Sequence, residues 1–328
     1  MGFLFSCQEE EHIVNKPPVA IFDVVDGVDR ILLNGKLSTD IDSDALTYHW
    51  TSNENTVTFG NRNYAETYFK LPAGQEEKFV DVTLTVSDGN SEDIETQTVT
   101  VPGFSTFRAY GLGKNLREEI SNDVPQEWYY DQAHTGAHSG VNCGPTSVTM
   151  AAKWFNESFI HTPEEARETY RSSGGWWFTN DIISYLDKYD VSNYTVALDN
   201  ISAVSHEIDN GNIVILCLDM YYVKYLNDPG YHINKFYVTN ETGWGHFIVI
   251  KGYKNVDGRT FYEAYDPYSM DLSYPEGGLK GKDRYYVSSD LDQATNVWWD
   301  YAIVVTKSES SDGRKKVDVG SIVHMPGR

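Results

Sequence analysis

Val141-Asn142-Cys143-Gly144-Pro145-Thr146-Ser147 sets a cysteine among small and polar residues ahead of a periodic apolar run. It leads into a helix, because Val148, Ala151, Ala152 and Phe155 follow at helical spacing. A cysteine at a helix start meets the positive end of the helix dipole and free backbone N–H groups, which favour the thiolate. Gly144 lets a substrate carbonyl approach the main chain, and Pro145 suits a first helical turn, where its missing N–H costs nothing. A free cysteine is more often a buried core residue. Asn, Gly and Pro make a poor core environment, so Cys143 is expected to be partly exposed and reactive.

Downstream, helices are expected over 163–171 and 180–189. Pro163 suits a first turn, and Glu164 and Glu165 suit the positive dipole end. Strands are expected over 213–218, 246–253, 260–265 and 298–306. Cys217 lies in the continuous apolar run Ile213-Val214-Ile215-Leu216-Cys217-Leu218, which reads as a buried strand and an inert thiol.

A thiol nucleophile needs a base, and His246 stands out in Gly243-Trp244-Gly245-His246-Phe247-Ile248-Val249-Ile250. Small residues precede it and an apolar strand follows. The next strand ends in Asp266-Pro267, and a hairpin brings that carboxylate beside His246, where it fixes the tautomer and supports the imidazolium. Alone, a histidine on a strand reads as a hydrogen-bonded core residue and Asp-Pro as a turn. Gln132, in Trp128-Tyr129-Tyr130-Asp131-Gln132, offers an amide to the oxyanion of an attacked carbonyl, together with the Cys143 N–H.

These elements combine into a resemblance. Gln132, Asn142-Cys143-Gly144-Pro145-Thr146-Ser147, Gly245-His246-Phe247, Gly252-Tyr253 and Asp266-Pro267 resemble the bacteriocin-processing (double-glycine leader) peptidase-like branch of the papain-like cysteine peptidases, over roughly residues 124–306. The resemblance implies Cys143 as nucleophile, His246 as base, Asp266 as third residue and Gln132 in the oxyanion hole. The stretch 221–242 departs from that pattern and interrupts the approach to His246. Trp176-Trp177 reads as core more readily than as a cleft wall.

Ahead of this region the pattern is that of strands. Val80, Val82, Leu84 and Val86 alternate with polar residues, Val99 and Val101 repeat the pattern, and Asp26-Gly27, Asn34-Gly35 and Asp88-Gly89 punctuate the runs. Pro17-Pro18-Val19-Ala20, Leu33-Asn34-Gly35-Lys36-Leu37-Ser38, the series Asp40, Asp42, Asp44, then Leu46-Thr47-Tyr48-His49-Trp50 and Val82-Thr83-Leu84-Thr85-Val86-Ser87-Asp88-Gly89 resemble a PKD-type domain, with Trp50 as core tryptophan. The acidic series lacks the glycine and distal glutamate of an EF-hand loop and reads as solvated turn acids rather than a Ca²⁺ site.

The expected architecture is multidomain: an all-β immunoglobulin-like sandwich followed by an α+β papain-like cysteine peptidase domain. The layout is a signal remnant and linker at 1–16, the sandwich at 17–102, a connector at 103–123, the peptidase domain at 124–307 and a polar tail at 308–328, in which 317–323 can pair at an edge.

Of the three cysteines in 328 residues, Cys7 has its own reading. Leu4-Phe5-Ser6-Cys7 is similar to a bacterial lipoprotein cleavage box, and Gln8-Glu9-Glu10-Glu11 resembles an acidic surface-export tag. This implies a lipid anchor on Cys7 and an extracytoplasmic, outer-membrane or cell-surface location. The net charge of -22 argues against nucleic acid as a partner. No spacing of Cys and His reads as a metal site, and no cofactor is called for. The expected partners are a peptide or protein substrate, and an extracellular protein or glycan for the sandwich. The expected activity is hydrolysis of a peptide or amide bond through a Cys-His-Asp triad. The alternatives are acyl transfer by the same groups, or a non-catalytic adhesion protein on the same scaffold.

Overall fold

A computed structural model describes residues 14–26, 30–70, 77–101, 110–275, 277–297 and 300–308. Cys7, the export tag, the tail and its edge segment 317–323 lie outside these residues. The chain divides into two compact units at residues 109/110.

The first unit is built from strands alone among its described residues: β1 (Asp23–Asp26), β2 (Ile31–Asn34), β3 (Thr47–Ser52), β4 (Thr58–Phe59), β5 (Glu66–Lys70), β6 (Lys78–Ser87) and β7 (Glu92–Val101). They form two sheets, ordered β1-β2-β5-β4 and β3-β6-β7. The period of two in β6 turns Val80, Val82, Leu84 and Val86 inward, each at most 1% exposed. Trp50 is fully buried, stands edge-on to Phe22 at 5.1 Å, and donates its indole N–H to the Tyr64 carbonyl at 2.8 Å. The alternate polar side chains of β7 bind the segment before β1. Asp93 and Glu95 accept the amides of Ala20 and Phe22 at 2.8 and 2.9 Å, and Gln97 donates to the Phe22 carbonyl at 2.8 Å. Asp40 folds the acidic series into a turn by accepting the amides of Asp42 and Asp44 at 2.8 and 3.1 Å. Among the described residues no group of three His, Cys, Asp or Glu side chains is arranged to hold a metal.

The second unit runs β8 (Leu116–Ser121), α1 (Cys143–Phe155), α2 (Pro163–Thr169), α3 (Thr179–Lys188), β9 (Asn193–Ala197), α4 (Ser202–Asp209), β10 (Ile213–Asp219), β11 (Gly245–Val256), β12 (Arg259–Tyr265), β13 (Arg284–Val287), α5 (Ser288–Thr295) and β14 (Tyr301–Val305). The antiparallel sheet has the order β13-β12-β11-β10-β14-β9, and β8 pairs with β11. Residues 116–121 were expected as connector; they extend this sheet instead. Their sequence, Leu-Arg-Glu-Glu-Ile-Ser, is mostly exposed and carries almost no buried alternation.

Both faces of the sheet are covered, which is why β10 is buried at every position. Ile213, Ile215 and Cys217 enter the cluster that holds α1, and Val214, Leu216 and Leu218 enter the opposite one. The helix after Cys143 reads as amphipathic, but α1 is buried at every residue except Lys153 and Phe155. It is packed between one face of the sheet and the helices α2 and α3. At the start of α2, Thr162 and Glu165 cap each other reciprocally.

Candidate active site

Cys143 is the first residue of α1 and only 4% exposed, not the partly exposed thiol expected from its polar neighbours. Those neighbours are buried because they are bonded to one another. Asn142, fully buried, donates to the Thr135 carbonyl at 2.8 Å and hydroxyl at 2.9 Å, and accepts from Arg167 Nε at 2.7 Å. The other Arg167 nitrogens donate to the carbonyls of Val141, Arg171 and Gly175 at 3.1, 3.2 and 3.0 Å. One guanidinium thus ties the segment before the thiol to the glycine loop that carries Trp177. Trp177 is buried against Gly144, where a Cβ would come within 2.7 Å of its own Cβ. Gly144 is therefore required by the tryptophan, whatever it does for a substrate.

His246 opens β11 opposite Leu218 of β10. Its Nε2 lies 2.7 Å from Asp266 Oδ1, and the Cys143 thiol is among the groups that raise the imidazole. An ionised carboxylate only accepts, so Nε2 carries a proton and Nδ1 is the nitrogen left for sulfur. Burial alone would push the imidazolium down. The Asp266 charge and hydrogen bond, with the thiol, reverse this and raise His246 to about 10. Burial would likewise push the Asp266 carboxyl up, yet the imidazolium and its hydrogen bonds hold it below the usual carboxylate range. The two directions agree on a buried imidazolium–carboxylate pair.

Asp266 is fully buried and heavily bonded. Oδ1 also accepts the Tyr268 amide at 2.9 Å. Oδ2 accepts the hydroxyls of Tyr286 at 2.5 Å and Tyr237 at 3.2 Å. Tyr129 donates to its carbonyl at 2.9 Å. Tyr237, Trp244 and Tyr268 pack on one another at 4.7–5.3 Å, with ring centres 6.0–6.3 Å from His246. Tyr237 comes from the stretch 221–242, which was expected to interrupt the approach to His246. It supplies a donor to the centre instead.

Gln132 is 1% exposed and lies in a short 3-10 turn. Its amide N–H donates to Pro267 O at 2.8 Å, and its side-chain Nε2 to Ser139 O at 2.8 Å. Its Oε1 is buried without a hydrogen-bond partner. Gln132 thus bridges the turn before Cys143 and the turn after Asp266. Asp131 holds the same turn by accepting the amides of Met270 and Asp271 at 3.0 and 2.9 Å.

The structure pairs His246 with Asp266, sets Cys143 among the groups that raise the imidazole, and ties Gln132 to the segments that flank Cys143 and Asp266. Cys217 stays on β10 opposite Phe247, its thiol pushed well up by burial. Arg167, Tyr237 and Tyr286 escaped the sequence reading, because their roles follow from hydrogen bonds between distant segments, and no local pattern marks them.

A family model described as the Peptidase_C39 like family matches residues 122–288. Among solved structures, a Bacillus anthracis protein described as a C39-like peptidase is 15% identical over 58% of this chain and 99% of its own, with a TM-score of 0.41. The PKD1 domain of Vibrio anguillarum Epp is 23% identical over 27% of this chain and 99% of its own, with a TM-score of 0.22. A nucleoside hydrolase-related protein from Saccharophagus degradans is 20% identical over 27% of this chain, with a TM-score of 0.24, and the match spans only 26% of that protein. No curated protein matches.

Proposed function

Because the chain belongs to the Peptidase_C39 like family, we propose that it is a thiol hydrolase that cleaves a peptide or amide bond through Cys143, His246 and Asp266. The observation that carries this reading is the buried pair of His246 Nε2 and Asp266 Oδ1 at 2.7 Å, with Cys143 at the head of α1 counted among the groups that raise the imidazole. His246 takes the Cys143 proton, and the sulfur attacks the scissile carbonyl carbon. The Cys143 N–H and the Gln132 amide receive the oxyanion. The imidazolium then gives its proton to the leaving nitrogen as the C–N bond breaks, which leaves a thioester on Cys143 and a free amine. Water attacks the thioester with His246 as base, so that the acid product leaves and the thiol regains its proton. Asp266 keeps the imidazole oriented and supports its charge throughout.

The first unit is read as a PKD-type sandwich that binds an extracellular protein or glycan, on the strength of the motifs at 17–102 and the buried Trp50. Anchoring through Cys7 and a surface location complete the reading, supported by the lipobox-like start. The test is labelling of the full chain with a thiol-directed peptidase inhibitor, followed by location of the modified residue. Modification of Cys143 is expected. Modification of Cys217 instead, or of neither, overturns the assignment.

A further inference from the structure

We propose that Tyr237 and Tyr286 are positioning residues of this centre, acting through Asp266, and that Tyr237 makes the stretch between β10 and β11 part of the catalytic apparatus. The inference rests on the reading of Cys143, His246 and Asp266 as the reacting row.

A carboxylate offers about four acceptor sites. All four on Asp266 are filled, two on Oδ1 by His246 and the Tyr268 amide, and two on Oδ2 by the phenols. The side chain is fully buried, so no solvent stands ready to replace a lost donor. Fixing Oδ2 removes the carboxylate's freedom to rotate, and Oδ1 is then held on Nε2. Both phenols are pushed well above the usual tyrosine range, by burial first and by the Asp266 charge next. They therefore remain donors wherever His246 and Asp266 are ionised.

The two tyrosines arrive by different routes. Tyr286 sits in β13 opposite Tyr262, and its ring is fully buried. Tyr237 is delivered by a long segment held along its length. Lys224 N donates to Asp290 at 3.0 Å, and Lys235 Nζ donates to Met220 O at 2.5 Å. Arg284 donates to the carbonyls of Tyr231, Ile233 and Asn234 at 2.8, 2.7 and 2.5 Å. Asp219 accepts the amides of Gly243 and Trp244 at 2.7 and 3.1 Å. So many buried anchors specify one placement of the Tyr237 hydroxyl. The titratable groups around Asp266 are His246 from β11, Tyr286 from β13, Tyr237 from this segment, Tyr129 on its carbonyl and Tyr268 beside it. Arg284 and Tyr274 stand behind Tyr286, and Cys143 lies beyond the imidazole.

The experiment compares wild type, Tyr286→Phe, Tyr237→Phe and the double variant as full chains. It follows the pH dependence of Cys143 alkylation by iodoacetamide, with the labelled residue located by mass spectrometry. Phenylalanine keeps the ring packing and removes only the donor. Losing a donor to the ionised form raises the Asp266 pKa, so the acid limb of the profile should move up by about one pH unit for Tyr286→Phe. The shift should be smaller for the longer Tyr237 bond and largest in the double variant. On a cleavable peptide, kcat should fall about tenfold with KM within about threefold. Profiles that superimpose on wild type in all three variants overturn the inference. Failure of the underlying reading looks different, because wild-type Cys143 would then label no faster than Cys217. If Tyr286→Phe does not fold, the variant of the partly buried Tyr237 carries the same test alone.

Discussion

Cys143 and Cys217 are each 4% exposed and belong to the same buried cluster, yet their surroundings could hardly differ more. Cys217 sits in mid-strand among residues that are all buried, and burial pushes its thiol well up. Cys143 heads a helix and helps raise the pKa of an imidazole that is itself fastened to a carboxylate. Exposure, which the sequence suggested as the discriminator, does not separate the two thiols. Neighbouring charge and hydrogen bonding do, and reactivity follows thiolate character rather than access alone.

The largest effect is expected at the Cys143 sulfur itself. Cys143→Ala is expected to lower turnover by about 10⁴-fold or more, while its thermal midpoint stays close to wild type. Turnover that survives this change would remove Cys143 from the chemistry. A smaller effect is expected at Gln132. Loss of its amide should slow kcat by about 10²-fold. Only the Cys143 side has an oxyanion to stabilise, so a Gln132→Ala rate within about twofold of wild type would count against that role.

The third effect is one of pH. Burial acts to lower His246, and Asp266 outweighs it to hold the imidazolium to about 10. A raised pKa in the folded state contributes stability that is fully present below about pH 6.5 and is lost as pH rises through about 10. Asp266→Asn removes the main support, so the alkaline limb of Cys143 alkylation should move to lower pH. The stability lost to the substitution should be larger at pH 6 than above pH 10, as measured by denaturant midpoints. An alkaline limb that does not move would show that Asp266 does not sustain the imidazolium.

What could be read in advance follows the same division. The continuous apolar run that becomes β10 and the small residues ahead of Cys143 are local signals, and local signals place strands and helix starts. The pairing of His246 with Asp266 was legible because each sits at the end of a strand. The donors behind it were not. Tyr237 and Tyr286 reach Asp266 from 29 and 20 residues away, and a hydrogen bond across that distance leaves no period in the sequence. Strand β8 was missed for the opposite reason. It is paired by its backbone at the sheet, while its charged side chains face water. Asn142 and Arg167 illustrate a third case. A polar residue beside a thiol looks like surface until its buried partner, 25 residues on, is known.

The smallest effect belongs to the other thiol. Cys217→Ser exchanges a weakly polar sulfur for a hydroxyl inside a strand buried at every position. An unpartnered hydroxyl there costs about 1–3 kcal/mol. The denaturant midpoint should fall accordingly, and the rate per folded molecule should stay close to wild type, since Cys217 faces Phe247 rather than the imidazole. The pair of measurements is decisive in combination. A Cys217→Ser variant that keeps its stability and loses its turnover would mean that the nucleophile sits on β10, and that the helix-borne thiol is the structural one.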